Sequence, residues 1–74
     1  MTKEELMKLI EKYLDEDLEE IEWTESLLDV GMDSIRMMAI VEDIRELGIN
    51  VNFMEFAENP SLEGWKKAIE IHAN

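Results

Sequence analysis

Four times along this chain a residue able to cap a helix stands directly ahead of an apolar-periodic run: Thr2, Asp33, Asn52 and Ser61. Such side chains satisfy N–H groups that the first turn of a helix leaves unpaired, so their spacing divides the sequence into helices before any other property is weighed. Thr2 with Glu5 is a capping box, and Leu6, Leu9, Ile10, Tyr13 and Leu14 follow at helical spacing, predicting a first helix from Lys3 to Asp15. Asp33 opens a second helix at Ser34, which Gly48 ends, because glycine takes the left-handed conformation that follows a helix. Asn52 with Glu55 opens a short third helix through Phe53, Met54, Phe56 and Ala57. The Asn59, Pro60, Ser61 cluster stops it and caps a last helix from Leu62 to His72, with Leu62, Trp65 and Ile69 inward and Gly64 weakening its first turn. Between the first two helices, residues 15 to 33 lose the helical period. An acidic run (Asp15, Glu16, Asp17, Glu19, Glu20) gives way to Ile21, Trp23, Leu27 and Leu28, which predict a long loop held down by buried apolar side chains. Ile49, Asn50 and Val51 read as extended linker, and no strand pattern or internal repeat is visible. The expected fold is all-α: three main helices, a short third helix and a long first loop.

Seventy-four residues leave room for one core, so residues 1–74 are expected to form a single domain. A core of this size rarely supplies more than about 3–5 kcal/mol of net stability, and small chains usually reinforce it with disulfides, a metal or very regular helices. The absence of cysteine removes disulfides and thiolate zinc sites. Lys and Arg number 7 against 19 Asp and Glu, a formal charge of −12. That charge repels phosphate backbones and anionic lipid, so neither nucleic acid nor membrane is expected as a partner; a basic protein surface is. No apolar run approaches the roughly 18 residues of a spanning helix, and no basic region precedes an apolar one as in a secretory signal. A cytoplasmic monomer is expected, and Met1 directly ahead of a capped helix points to a chain that stands alone.

Catalytic and metal constellations are poor. His72 has no second histidine to work with and reads as a solvated residue favouring the negative end of the last helix. Asp15, Asp17 and Glu19 match the first ligand positions of a calcium loop, but Glu20 replaces its glycine and Ser26 its final glutamate. No enzyme and no metal site are therefore expected. The informative stretch is Gly31, Met32, Asp33, Ser34. It places a serine hydroxyl at the first turn of a helix, where free amides and the positive dipole end favour an attached phosphate. An ordinary helix start, with Asp33 as cap, would read the same way.

The second helix distinguishes the two. Met37, Ile40, Val41, Ile44 and Leu47 form one stripe, the predicted core face. Ile35, Met38 and Ala39 form another on the side where Glu42 and Glu46 mark solvent. Apolar residues on a polar face beside a candidate attachment serine suggest a docking surface, and methionine suits one that accepts several partners.

Leu27, Leu28, Asp29, Val30, Gly31, Met32, Asp33, Ser34, Ile35, Arg36, Met37 and Met38 together resemble the phosphopantetheine attachment region of acyl and peptidyl carrier proteins, most narrowly the aryl carriers of siderophore-type nonribosomal peptide synthesis. The run from Val51 through Asn59, Pro60, Ser61, Leu62 and Trp65 keeps that register, and the helix order is that of the four-helix carrier-protein bundle. The resemblance implies that Ser34, set by Gly31 and Asp33, receives 4′-phosphopantetheine from coenzyme A by a phosphopantetheinyl transferase. It implies an acyl group held on the arm as a thioester and passed between adenylating and condensing enzymes. Fatty-acid carriers have a more acidic second helix after the serine; here Ile35, Arg36, Met37 and Met38 point to the aryl and peptidyl branch. The acidic first loop carries more charge than in typical aryl carriers, so the cargo, aryl, aminoacyl or another short acyl or polyketide group, stays open. The competing class is an acidic helical interaction module, which explains the charge but not the grouping of Gly31, Asp33 and Ser34. The partner surface is expected to comprise Ile35, Met38, Ala39 and Glu42 on the second helix with Phe53 and Ala57 on the third, while Phe56 fills the core.

Overall fold

The computed structural model describes residues 1–14 and 18–73, the side chain of Glu19 excepted; within these residues the chain forms four α-helices and no strand. Helix α1 spans Lys3–Glu11, α2 Ser34–Glu46, α3 Phe53–Glu58 and α4 Leu62–His72, and two 3₁₀ turns, Leu18–Glu20 and Leu27–Val30, lie between α1 and α2. Every predicted cap is in place. The Thr2 and Asn52 side chains accept from the Glu5 and Glu55 N–H groups, and those glutamates accept in return from the cap N–H groups. Asp33 accepts from the Arg36 N–H at 2.9 Å, and Ser61 Oγ from the Gly64 N–H at 3.0 Å.

Helix α1 ends a turn before the predicted Asp15. The Tyr13 N–H bonds back to the Ile10 carbonyl at 2.9 Å, the tighter spacing of a closing turn, and Tyr13 is then taken up by α2 at both its carbonyl and its hydroxyl. Leu14 still reaches the core although it lies beyond the helix.

Leu6 and Ile10 of α1, Ile40 and Ile44 of α2, Phe56 of α3, and Leu62, Trp65 and Ile69 of α4 close a common core with Leu18, Leu27 and Val51. Burying each such side chain contributes about 1.5–3 kcal/mol before chain entropy is subtracted. Phe56 and Trp65 stack with ring centroids 4.6 Å apart, and the Trp65 indole N–H donates to the Phe56 carbonyl at 3.0 Å, so this burial leaves no orphaned donor. The segment after α1 is fastened to the start of α4: the Leu27 N–H donates to the Pro60 carbonyl at 2.7 Å, and the Glu63 N–H to the Trp23 carbonyl at 3.0 Å.

Three expectations are corrected, and one, at Gly64, is extended. Leu47 is 66% exposed, because it caps α2 as the chain turns into Gly48 (φ +91°) and leaves the core face at Ile44. Leu28 is 53% exposed, while Leu18, absent from the predicted anchors, is fully buried. Gly64 is more than a weak helix former: a Cβ there would lie 2.4 Å from the Asn59 side chain and 2.7 Å from its carbonyl oxygen, so only glycine admits the close approach of α3's end to α4. His72 is not a solvated tail residue. Its Nε2 lies 2.9 and 2.8 Å from the two Glu55 carboxylate oxygens, tying the end of α4 to the capping box of α3.

The calcium-loop reading falls on Asp15, Asp17 and the Glu19 side chain, which lie outside the described residues. Among the described residues no cluster of His, Asp and Glu could hold a metal, and no helix is long and apolar enough to cross a membrane.

Candidate functional site around Ser34

The approach to Ser34 is built from local hydrogen bonds. Ser26 caps the Leu27–Val30 turn by accepting from the Leu28 N–H, and Gly31 ends it in the left-handed conformation at φ +100°, which a side chain would strain. The Met32 N–H returns to the Leu27 carbonyl at 3.1 Å, and the Met32 side chain is buried. A hydrophobic anchor thus sits two residues before the serine. Asp33 then adopts extended backbone (φ −140°, ψ 175°) as the N-cap, and Ser34 is the first, exposed residue of the thirteen-residue α2.

The first turn of α2 is accounted for group by group. The Arg36 N–H is taken by the Asp33 carboxylate and the Met37 N–H by the Asp33 carbonyl. The N–H groups of Ser34 and Ile35 belong to the part of the turn that an α-helix leaves without intrahelical partners. An exposed hydroxyl beside outward N–H groups at the positive end of a helix can accept a phosphoryl substituent without desolvating it.

Arg36, read from the sequence only as part of the stretch that follows Ser34, makes several bonds here. Its Nε donates to the Tyr13 carbonyl at 2.9 Å, its Nη1 pairs with the second Asp33 carboxylate oxygen, and the Gly31 carbonyl lies 3.5 Å from that same nitrogen. The Asp and Arg three apart at a helix start were a visible signal for the ion pair, but nothing local announces the bonds to Tyr13 and Gly31. Both partners are about half exposed, so the pair contributes roughly 0–1 kcal/mol and its importance is geometric. Tyr13 also donates its hydroxyl to Asp43 further along α2; that bond, together with burial and the carboxylate's charge, raises the phenol pKa above its ordinary value.

The predicted surface residues separate into groups. Ile35, 74% exposed, stands beside Ser34. Met38, half exposed, lines a groove of about 320 Å³ between α2 and α3 with Glu42, Phe53, Val41, Arg45 and Asn52. Phe53 packs one side against the core while contributing to this groove. Ala39 and Ala57 are half-buried and do not line it. Exposed Leu28, expected inside, adds an apolar group on the turn leading to Ser34.

Comparison with known proteins gives a consistent picture. Residues 4–69 match the family described as phosphopantetheine attachment site. An isochorismatase of Bacillus subtilis (strain 168) is 44% identical over 68 residues, covering 92% of this chain and 22% of that protein. Enterobactin synthase component B of Escherichia coli (strain K12) is 34% identical over 68 residues, covering 92% of this chain and 24% of its own length. Acyl carrier protein ScoB of Streptomyces coeruleorubidus is 35% identical over 54 residues, 73% of this chain and 64% of that one. The chain thus spans under a quarter of the two longer relatives. No solved structure gives a significant match.

Proposed function

The chain belongs to the phosphopantetheine attachment site family, and from that premise we propose that residues 1–74 act as one carrier domain in which Ser34 takes the 4′-phosphopantetheine arm of coenzyme A. The observation that carries this is the exposed Ser34 hydroxyl at the first position of α2, behind the left-handed Gly31 and the Asp33 cap. These residues fit the group: the Asp33 carboxylate is engaged at both oxygens by Arg36, and the turn's leading N–H groups suit a phosphodiester.

In the modification a bond forms between Ser34 Oγ and the β-phosphorus of coenzyme A, the pyrophosphate linkage breaks, the adenosine bisphosphate half leaves, and the hydroxyl proton passes to a base on the transferase. When bound, the arm supplies a thiol on which an acyl group is held as a thioester. The chain has no cysteine, so no sulfur of its own competes for the acyl group. Domains of this family carry and do not catalyse, which leaves this chain the tasks of presenting Ser34 and docking.

The cargo class that the relatives support is an aryl or aminoacyl group in siderophore-type nonribosomal synthesis, since enterobactin and pseudomonine synthases align across most of the chain. The partners are a phosphopantetheinyl transferase, an adenylating loading enzyme and a condensing enzyme, in the cytoplasm. Their contact surface is Ile35 and Met38 with Ala39, Phe53 and Ala57, while exposed Glu42 steers a basic partner.

Intact mass after incubation with coenzyme A and a broad-specificity transferase tests the reading. The parent gains one phosphopantetheine, and Ser34→Ala gains none while keeping its helicity, because alanine is favourable within a helix. An unmodified parent, or a labelled alanine variant, overturns it.

A further inference from the structure

The geometry points to Arg36 as a positioning residue for the modification of Ser34, a role that rests on the reading of Ser34 above. Three chain segments converge on this one guanidinium: the end of α1 through the Tyr13 carbonyl at 2.9 Å, the left-handed turn through the Gly31 carbonyl at 3.5 Å, and the cap of α2 through the Asp33 carboxylate. Its own N–H is held by the other Asp33 oxygen at 2.9 Å. Ser34 therefore lies between two residues locked to each other at both backbone and side chain. The turn before it is tied to the same clamp. A rigid planar fork carries its donors on nitrogens set apart from one another and so spans acceptors on separate segments in one fixed geometry, whereas a lysine ammonium gathers its donors at a single flexible point.

Charge adds a second reason. On a chain of net charge −12, the residue preceding Ser34 is an aspartate, and the incoming coenzyme A is a polyanion. The guanidinium on Asp33 offsets that carboxylate at the place where the donor's phosphates arrive. The two lysine ion pairs among the described residues, Lys66 with Glu70 and Lys67 with Glu63, both stay within α4. Because the Arg36 pair is about half exposed, its loss weakens the fold little, and the effect concentrates on how the serine is presented.

The test is steady-state phosphopantetheinylation of the whole chain, with Ser34→Ala as blank and Ile69→Val as a variant of lowered core stability. Arg36→Ala is expected to lower kcat about tenfold with KM for the carrier changed less than threefold; Arg36→Lys recovers part of the rate by restoring the charge without the fork; Ile69→Val keeps the parent kcat. Three outcomes overturn the inference: parent kcat in Arg36→Ala, a loss residing wholly in KM, which would make Arg36 a transferase contact, or an equal loss in Ile69→Val at the same degree of folding. A parent chain that takes no label would refute the assignment of Ser34 itself, and so tells the two failures apart.

Discussion

The junction of α3 with α4 and the turn leading into Ser34 solve opposite problems with opposite means. At the junction, Phe56, Leu62 and Trp65 are almost wholly out of water, two aromatic rings stack, and a glycine lets Asn59 approach within the reach of van der Waals repulsion. Stability there comes from area and close packing. The Ser34 turn keeps its serine, aspartate and arginine in water and takes its shape from directional bonds to carbonyls and carboxylates. Each such bond contributes little net energy against water, yet fixes direction. The exposed turn is thus shaped by hydrogen bonds, while the junction to which its leading loop is fastened is held by packing.

The contrast is sharpest if the junction is damaged. Trp65→Ala removes the stacked ring and its indole donor and should cost about 3–5 kcal/mol, comparable with the whole stability of so small a domain. Urea denaturation followed by circular dichroism should find that variant largely unfolded without denaturant; a native transition would mean that the stack adds little. A smaller effect, opposite in sign to ordinary propensity, is expected one residue earlier. Gly64→Ala should gain roughly 1 kcal/mol by helix propensity alone, but a methyl group meeting Asn59 displaces the Ser61 Oγ to Asn59 Oδ1 bond, and overpacking of this kind costs about 1–3 kcal/mol. A raised melting temperature would show that Asn59 moves aside freely. A change of similar size belongs to the turn. Asp33→Ala should lower stability by about 0.5–2 kcal/mol, the worth of a helix cap. A loss as large as that of Trp65→Ala would erase the distinction between the two regions.

What the sequence disclosed follows the range of the interactions. The caps at Thr2, Asp33, Asn52 and Ser61 act over three residues, so their partners are visible beside them, and all four helix starts were legible to the residue. The place of Ser34 at the first position of α2 was legible for the same reason. The clamp by Arg36 was not, since its acceptor at Tyr13 belongs to another helix's end, and neither was the pairing of His72 with Glu55, in which His72 reads as a solvated end residue and Glu55 as already engaged with the Asn52 cap. Leu28 and Leu47 erred in one direction: leucine near a helix or turn end reads as buried, and only the path of the backbone after Leu47, or the tight turn at Leu28, sends it outward. The shortening of α1 has the same origin, because Tyr13 keeps the helical spacing while its bonds are drawn to α2.

The two backbone bonds that join Leu27 to Pro60 and Trp23 to Glu63 set an order in time. During synthesis the first loop and α2 leave the ribosome well before the segment that receives them, and long-range contacts of this kind close only after their later partner exists. A nascent chain ending before α4 would carry Ser34 in its sequence but not the platform beneath the loop that leads to it. Packing of α4 thus completes the contacts beneath the loop that leads to Ser34.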